Sequence, residues 1–119
     1  LFASAGITLT LEENLLDAVT AVSGSGPAYF FYLIEAMVQA AVELGITRAD
    51  ALALAAQTAL GAARMVLETG AEPEELRRRV TSPGGTTQAA VQVLDEAAVK
   101  DAVVQAIAAA ARRSKELGK

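Results

Sequence analysis

Cysteine, histidine and tryptophan are all absent from the 119 residues. Without cysteine there is no disulfide framework and no thiolate nucleophile, and without either cysteine or histidine no zinc site of the usual kind. Imidazole acid–base chemistry is excluded as well. Any chemistry must therefore use hydroxyls, backbone amides, carboxylates or a bound cofactor, and no resident metal is expected. Concentrated positive charge is missing too, since the formal net charge is −4. Arg77-Arg78-Arg79 and Arg112-Arg113 each fall in an expected last helical turn, where cations offset the helix dipole. That pattern argues against a nucleic-acid partner. Nor is there a membrane-spanning run. The longest apolar stretch, Pro27 to Leu44, carries Glu35, Gln39 and Glu43 on one helical stripe. It reads as a buried helix with one wet edge. No basic region precedes the first apolar stretch, so no secretory signal is expected, and the residue classes suit a cytoplasmic protein.

What is present is apolar and small. Hydrophobic residues make up 53% of the chain but aromatics only 4%, so the core must be built from small side chains. Alanine supplies about a quarter of the residues, and each buries little area, so stability must come from close helix–helix approach over long contacts. The length suits one domain. A monomer of this size buries under about 70% of its unfolded surface, so the surplus of apolar surface points to an oligomer.

Along the chain, Gly6-Ile7-Thr8-Leu9-Thr10-Leu11 alternates and is β-branched, which reads as one strand. No second strand follows, so this one pairs with a copy of itself or belongs to a sheet outside residues 1–119. Residues 1–11 are thus set apart from a helical domain over 12–119. Glu12 and Glu13 open an apolar-periodic helix through Val22, ended by Ser23-Gly24-Ser25-Gly26. Ser25 or Gly26 caps the next helix, with Pro27 in its first turn. It runs to Leu44, with Gly45 as a left-handed stop. Thr47-x-x-Asp50 resembles a capping box and opens a helix that ends before Gly70. Its polar positions Asp50, Gln57, Arg64 and Glu68 lie near one face, so it is expected to be buried on most sides. A short helix from Pro73 to Arg79, another from Thr86 to Glu96 and a last one from Ala98 to Leu117 complete the chain. In the last, Val99, Val103, Ala106, Ile107 and Ala110 form the inner face.

Two segments carry candidate chemistry. In Ser82-Pro83-Gly84-Gly85-Thr86-Thr87 the glycines permit close approach to the backbone, and the following helix aims free N–H groups at the turn. The amides of Gly85, Thr86 and Thr87, with the Ser82 and Thr87 hydroxyls, suit an anion such as a small carboxylate. The bland alternative is an ordinary helix start. The second segment, Ser23-Gly24-Ser25-Gly26-Pro27-Ala28-Tyr29, fails the dinucleotide fingerprint, because Tyr29 occupies the third glycine position and a helix precedes it. A helix break open to a ligand or another chain, and a plain interhelical turn, both remain for it.

In order and spacing, Asp17 to Tyr29 (DAVTAVSGSGPAY), Ala56 to Met65 (AQTALGAARM) and Val80 to Thr87 (VTSPGGTT) resemble the pyrroline-5-carboxylate reductase family. Arg113 to Leu117 (RSKEL) is similar to that family's usual end. The resemblance implies an all-α, intertwined helical dimerisation domain of the 6-phosphogluconate-dehydrogenase C-terminal-like type, preceded here by the orphan strand. It implies reduction of the cyclic imine 1-pyrroline-5-carboxylate to proline with NADPH or NADH, in proline biosynthesis. It also implies that Ser82, Gly84, Gly85, Thr86 and Thr87 hold the substrate carboxylate. The Thr87 hydroxyl would act catalytically near the ring nitrogen, and Ser25, Gly26 and Pro27 would line the nicotinamide end. The implied partners are a second copy, with any larger assembly on the same surfaces, and the small-molecule substrate.

The departures are equally definite. No strand–GxGxxG–helix unit is present, so residues 1–119 by themselves are expected to bind no cofactor and to be inactive. Ala97-Ala98 lacks the glycine expected before the last helix. The alanine-rich, histidine-free composition also suits an excised, reconstructed or designed domain. Two alternatives stand beside the reductase reading: a purely structural helical oligomerisation module, and the helical domain of another imine or hydroxy-acid dehydrogenase.

Overall fold

Helix stops and starts are written locally in this chain, and most fall where the residues demand them. In the computed structural model, which describes residues 12–118, the helices are α1 (Leu16–Val19), α2 (Gly26–Glu43), α3 (Arg48–Thr69), α4 (Pro73–Arg79), α5 (Thr86–Glu96) and α6 (Val99–Leu117). The described residues contain no strand, so the all-α class holds. The strand expected over residues 6–11, and the division at residue 11, lie outside the described residues.

The α2–α3 connection shows how local the instructions are. Gly45 takes φ 101°, a left-handed conformation in which a Cβ would be strained. This lets the Ile46 amide donate to the Ala41 carbonyl (3.0 Å) and the Gly45 amide to the Val42 carbonyl (3.0 Å), a Schellman closure. The Thr47 hydroxyl then accepts the Asp50 amide at 3.3 Å and starts α3. Pro73 opens α4, whose first turn carries Glu74 and Glu75 and whose last carries Arg77, Arg78 and Arg79.

Two compact units emerge, residues 12–31 with 97–118 and residues 32–96. In the second, Val38 of α2 packs on Ala51 and Ala55 of α3, flanked by Ile34, Ala41 and Ile46. Ala51 and Ala55, one turn apart on α3, lie on the face that Val38 meets. In the first unit, α6 lies against α1 and the segment that follows it. The Ser114 hydroxyl donates to the Asp17 carboxylate at 2.8 Å and ties α6 to α1.

Two expectations require correction. The first helix is not continuous: a 3-10 turn (Glu13–Leu15), α1 and a π turn (Thr20–Gly24) follow one another. Ser25 remains in the right-handed region (φ −87°, ψ −15°), so the chain does not break into an interhelical loop. Two groups bear on this widened turn: Pro27, which has no N–H to continue the regular ladder, and the Tyr29 hydroxyl, which donates to the Ala21 carbonyl. The last helix begins at Val99, because Ala98 takes φ 55° and ψ 41°. On the two long helices of the single chain, Tyr32 and Leu67 are each 78% exposed; the burial expected of these helices is burial against a second copy. On α6 of the single chain, Ile107 and Ala110 are half-buried, and Val99, Val103 and Ala106 are exposed.

Candidate functional site

The turn between α4 and α5 is assembled from short-range bonds. The Thr81 hydroxyl donates to the Arg77 carbonyl at 2.5 Å, which closes the end of α4. The Gly85 amide donates to the Ser82 carbonyl at 3.0 Å, bracketing Pro83 and Gly84. Gly84 has φ 73°, so the segment has the signature of a type II turn, proline first and glycine second. A Cβ on Gly85 would stand 3.1 Å from the Ser82 carbonyl oxygen, so a larger residue here would make the turn give by a few tenths of an ångström.

Beyond the turn, Gln88 folds back and its Oε1 accepts the Gly84 amide at 2.7 Å. The Gly84 and Gly85 amides are therefore committed within the turn itself. Among the described residues, the Thr86 and Thr87 amides and the Ser82, Thr86 and Thr87 hydroxyls form no hydrogen bond. They sit at the front of an 11-residue helix, where unpaired N–H groups and the dipole favour an anion. Ser82 and Thr86 are exposed and Thr87 is half-buried. Of the three amides expected to receive an acid, two are thus available and Gly85 is not.

A shallow groove of about 340 Å³ runs along α5, lined by Thr81, Gln88, Val91, Gln92, Asp95 and Glu96. It does not include Ser82, Thr86 or Thr87, and its two carboxylates would repel an acid. Among the described residues no group of three or more acidic side chains is placed to hold a metal ion. No described helix is long and apolar enough to cross a membrane.

Ser25, Gly26 and Pro27 belong to the other compact unit, at the junction of the π turn and α2. Gly26 is buried, Ser25 half-buried and Pro27 exposed. Among the described residues, a Cβ at Gly26 would meet nothing within 4 Å, and packing gives no reason for a glycine there. Tyr29 donates its hydroxyl to the Ala21 carbonyl at 2.6 Å across the junction.

Four residues that shape these segments escape the sequence reading. Gln88 had a signal, since an amide side chain at the third helical position is a capping-box feature. Tyr29 and the Asp17–Ser114 pair had none, because their partners are set by how helices meet.

Residues 13–117 match the family described as "Pyrroline-5-carboxylate reductase dimerisation". A pyrroline-5-carboxylate reductase of Methanosarcina acetivorans is 52% identical over 119 residues, which is 100% of this chain and 44% of that relative. One from Arabidopsis thaliana is 50% identical over 117 residues, 98% of this chain and 42% of its own length. Among solved structures, Plasmodium falciparum pyrroline carboxylate reductase with NADP bound superimposes with a TM-score of 0.92 at 35% identity. That similarity covers 99% of this chain and 48% of the other. The chain spans less than half the length of the curated relatives it matches. With the family match running through all six helices, the chain belongs to the pyrroline-5-carboxylate reductase dimerisation family.

Proposed function

We propose that residues 12–118 form the subunit-pairing and substrate-holding part of a reductase that converts 1-pyrroline-5-carboxylate to proline, with residues 1–11 leading in from the cofactor domain. The observation that carries this reading is the pair of uncommitted amides at Thr86 and Thr87, behind a turn whose own glycine amides are already satisfied. Two amides and the Ser82 hydroxyl give an acid three donors without an arginine. Hydrogen bonds to a charged acceptor contribute about 1.5–3 kcal/mol each. Gly84 and Gly85 serve by shape, keeping the backbone bare where the acid approaches.

In this role the Thr87 hydroxyl stands beside the ring nitrogen and holds its proton in place. When bound, NADPH or NADH would supply the hydride that reduces the imine carbon. Ser25, Gly26 and Pro27 form the edge met by the nicotinamide, and the open space over Gly26 supports that use. The chain's own residues need only orient the imine and keep its nitrogen hydrogen-bonded. A fold without histidine or cysteine can do this, and a cytoplasmic setting belongs to the same reading.

Pairing of two copies is supported by the apolar side chains that one chain leaves wet, Phe30, Phe31, Tyr32, Leu33, Leu52 and Leu54 among them. An obligate interface of this kind commonly exceeds about 2,000 Å². Sedimentation at micromolar concentration should give a dimer or larger, and monomer alone would end the pairing reading. The 119-residue polypeptide by itself should not turn over imine and NADPH.

A second reading, a structural oligomerisation module, draws on Gln88, which already seals part of the turn. Titration of the dimer with proline separates the two. Weak binding lost in Thr87→Ala and Gly85→Pro supports the substrate site. An intact dimer that does not bind supports the module.

A further inference from the structure

The π turn ahead of α2 has a specific hydrogen-bond problem. In an α register the Ser25 amide would donate to the Ala21 carbonyl, four residues back. Here it donates to Thr20, five residues back, at 2.9 Å. The Ala21 carbonyl is thereby passed over, and Ala21 is 0% exposed, so water cannot replace the missing donor. The Tyr29 hydroxyl donates to that same carbonyl at 2.6 Å. Side chains near the start of a helix lean back toward its N-terminus, which carries the Tyr29 phenol over the junction.

We propose that Tyr29 is a positioning residue: its hydroxyl takes the place of the diverted Ser25 amide and so selects the π register over the α register for Thr20–Gly24. The two registers serve one buried acceptor differently. In the π state Ala21 is served by the phenol and Thr20 by Ser25. In the α state Ala21 takes the Ser25 amide, and the phenol could add only a second bond, at the other lone pair of a carbonyl already satisfied. A π turn holds one more residue per turn than an α turn, so register decides the direction in which Ser25, Gly26 and Pro27 face. The latch itself rests only on these bonds. Its functional weight rests on the nicotinamide reading of that edge.

Pro27 is the competing cause, because it withholds an N–H from the same stretch. High-resolution crystal structures of variants, with NMR couplings across the Ser25 hydrogen bond, separate the two. Tyr29→Phe should move the Ser25 amide from the Thr20 carbonyl to Ala21. Restoring a donor with 4-aminophenylalanine at position 29 should return it to Thr20. Pro27→Ala, with Tyr29 intact, should keep the π register. Retention of the Ser25–Thr20 bond in Tyr29→Phe overturns the proposal, and so does conversion to α in Pro27→Ala.

A kinetic arm keeps the two layers distinct. In a full-length reductase carrying this segment, Tyr29→Phe should raise the cofactor KM by roughly fivefold or more and leave the imine KM unchanged. If the register relaxes while cofactor KM stays put, the latch stands and the nicotinamide reading of Ser25–Pro27 falls.

Discussion

Two serine-, glycine- and proline-containing stretches of this chain look alike and behave oppositely. Ser82-Pro83-Gly84-Gly85 is a true reversal, closed by a bond from Gly85 to Ser82 and by left-handed Gly84. Ser23-Gly24-Ser25-Gly26-Pro27 is no reversal at all. Its backbone stays right-handed at Ser25, and the irregularity is absorbed as one widened helical turn. The contrast lies in where the instruction resides. Pro83 and Gly84 dictate their own dihedral angles, whereas the junction takes its register from a tyrosine reaching back eight residues.

The comparison is broken most directly at the glycines of the turn. Gly84→Ala places a Cβ at φ 73° and should cost about 1–2 kcal/mol, read from urea unfolding. The next effect concerns the junction's support. Ser114→Ala removes the 2.8 Å bond to Asp17 that ties α6 to α1, beside the π turn, and should cost about 1–1.5 kcal/mol by the same measurement. Third is the position where a glycine is wanting. Ala98 is the one non-glycine residue with positive φ among the described residues, so Ala98→Gly should raise stability by about 1 kcal/mol. It should also raise Tm by several degrees, seen by calorimetry. Smallest, and opposite in sign to the turn, Gly26→Ala meets no neighbour within 4 Å among the described residues. It should gain about 0.5–1 kcal/mol in chemical unfolding. The same substitution should weaken cofactor use in a full-length reductase, if Gly26 is bare for the sake of a ligand.

Much of the fold was legible in the residues. The ends of α3, α4 and α5 fall as expected, because Thr47, Gly70, Pro73 and the Pro83–Gly84 pair act within a few residues of themselves. The missing glycine at Ala97-Ala98 was also legible, and the left-handed Ala98 shows why a glycine was expected. The candidate site was legible as a segment but not amide by amide. Nothing in Ser82–Thr87 says that Gly85 will spend its N–H on Ser82, or that Gln88 will take that of Gly84. These are choices between competing donors and acceptors of similar strength.

By itself the chain's order of residues determined that this is an all-α member of its family, where its helices stop, and which turn presents free amides. Those properties follow from local dihedral preference, capping and apolar periodicity, each complete within a turn or two of backbone. Only the tertiary structure decided the π register before α2, the Asp17–Ser114 tie and which apolar faces stay wet. Each depends on groups brought together from different helices. A buried carbonyl takes whichever donor packing delivers, and spacing along the chain does not record that delivery.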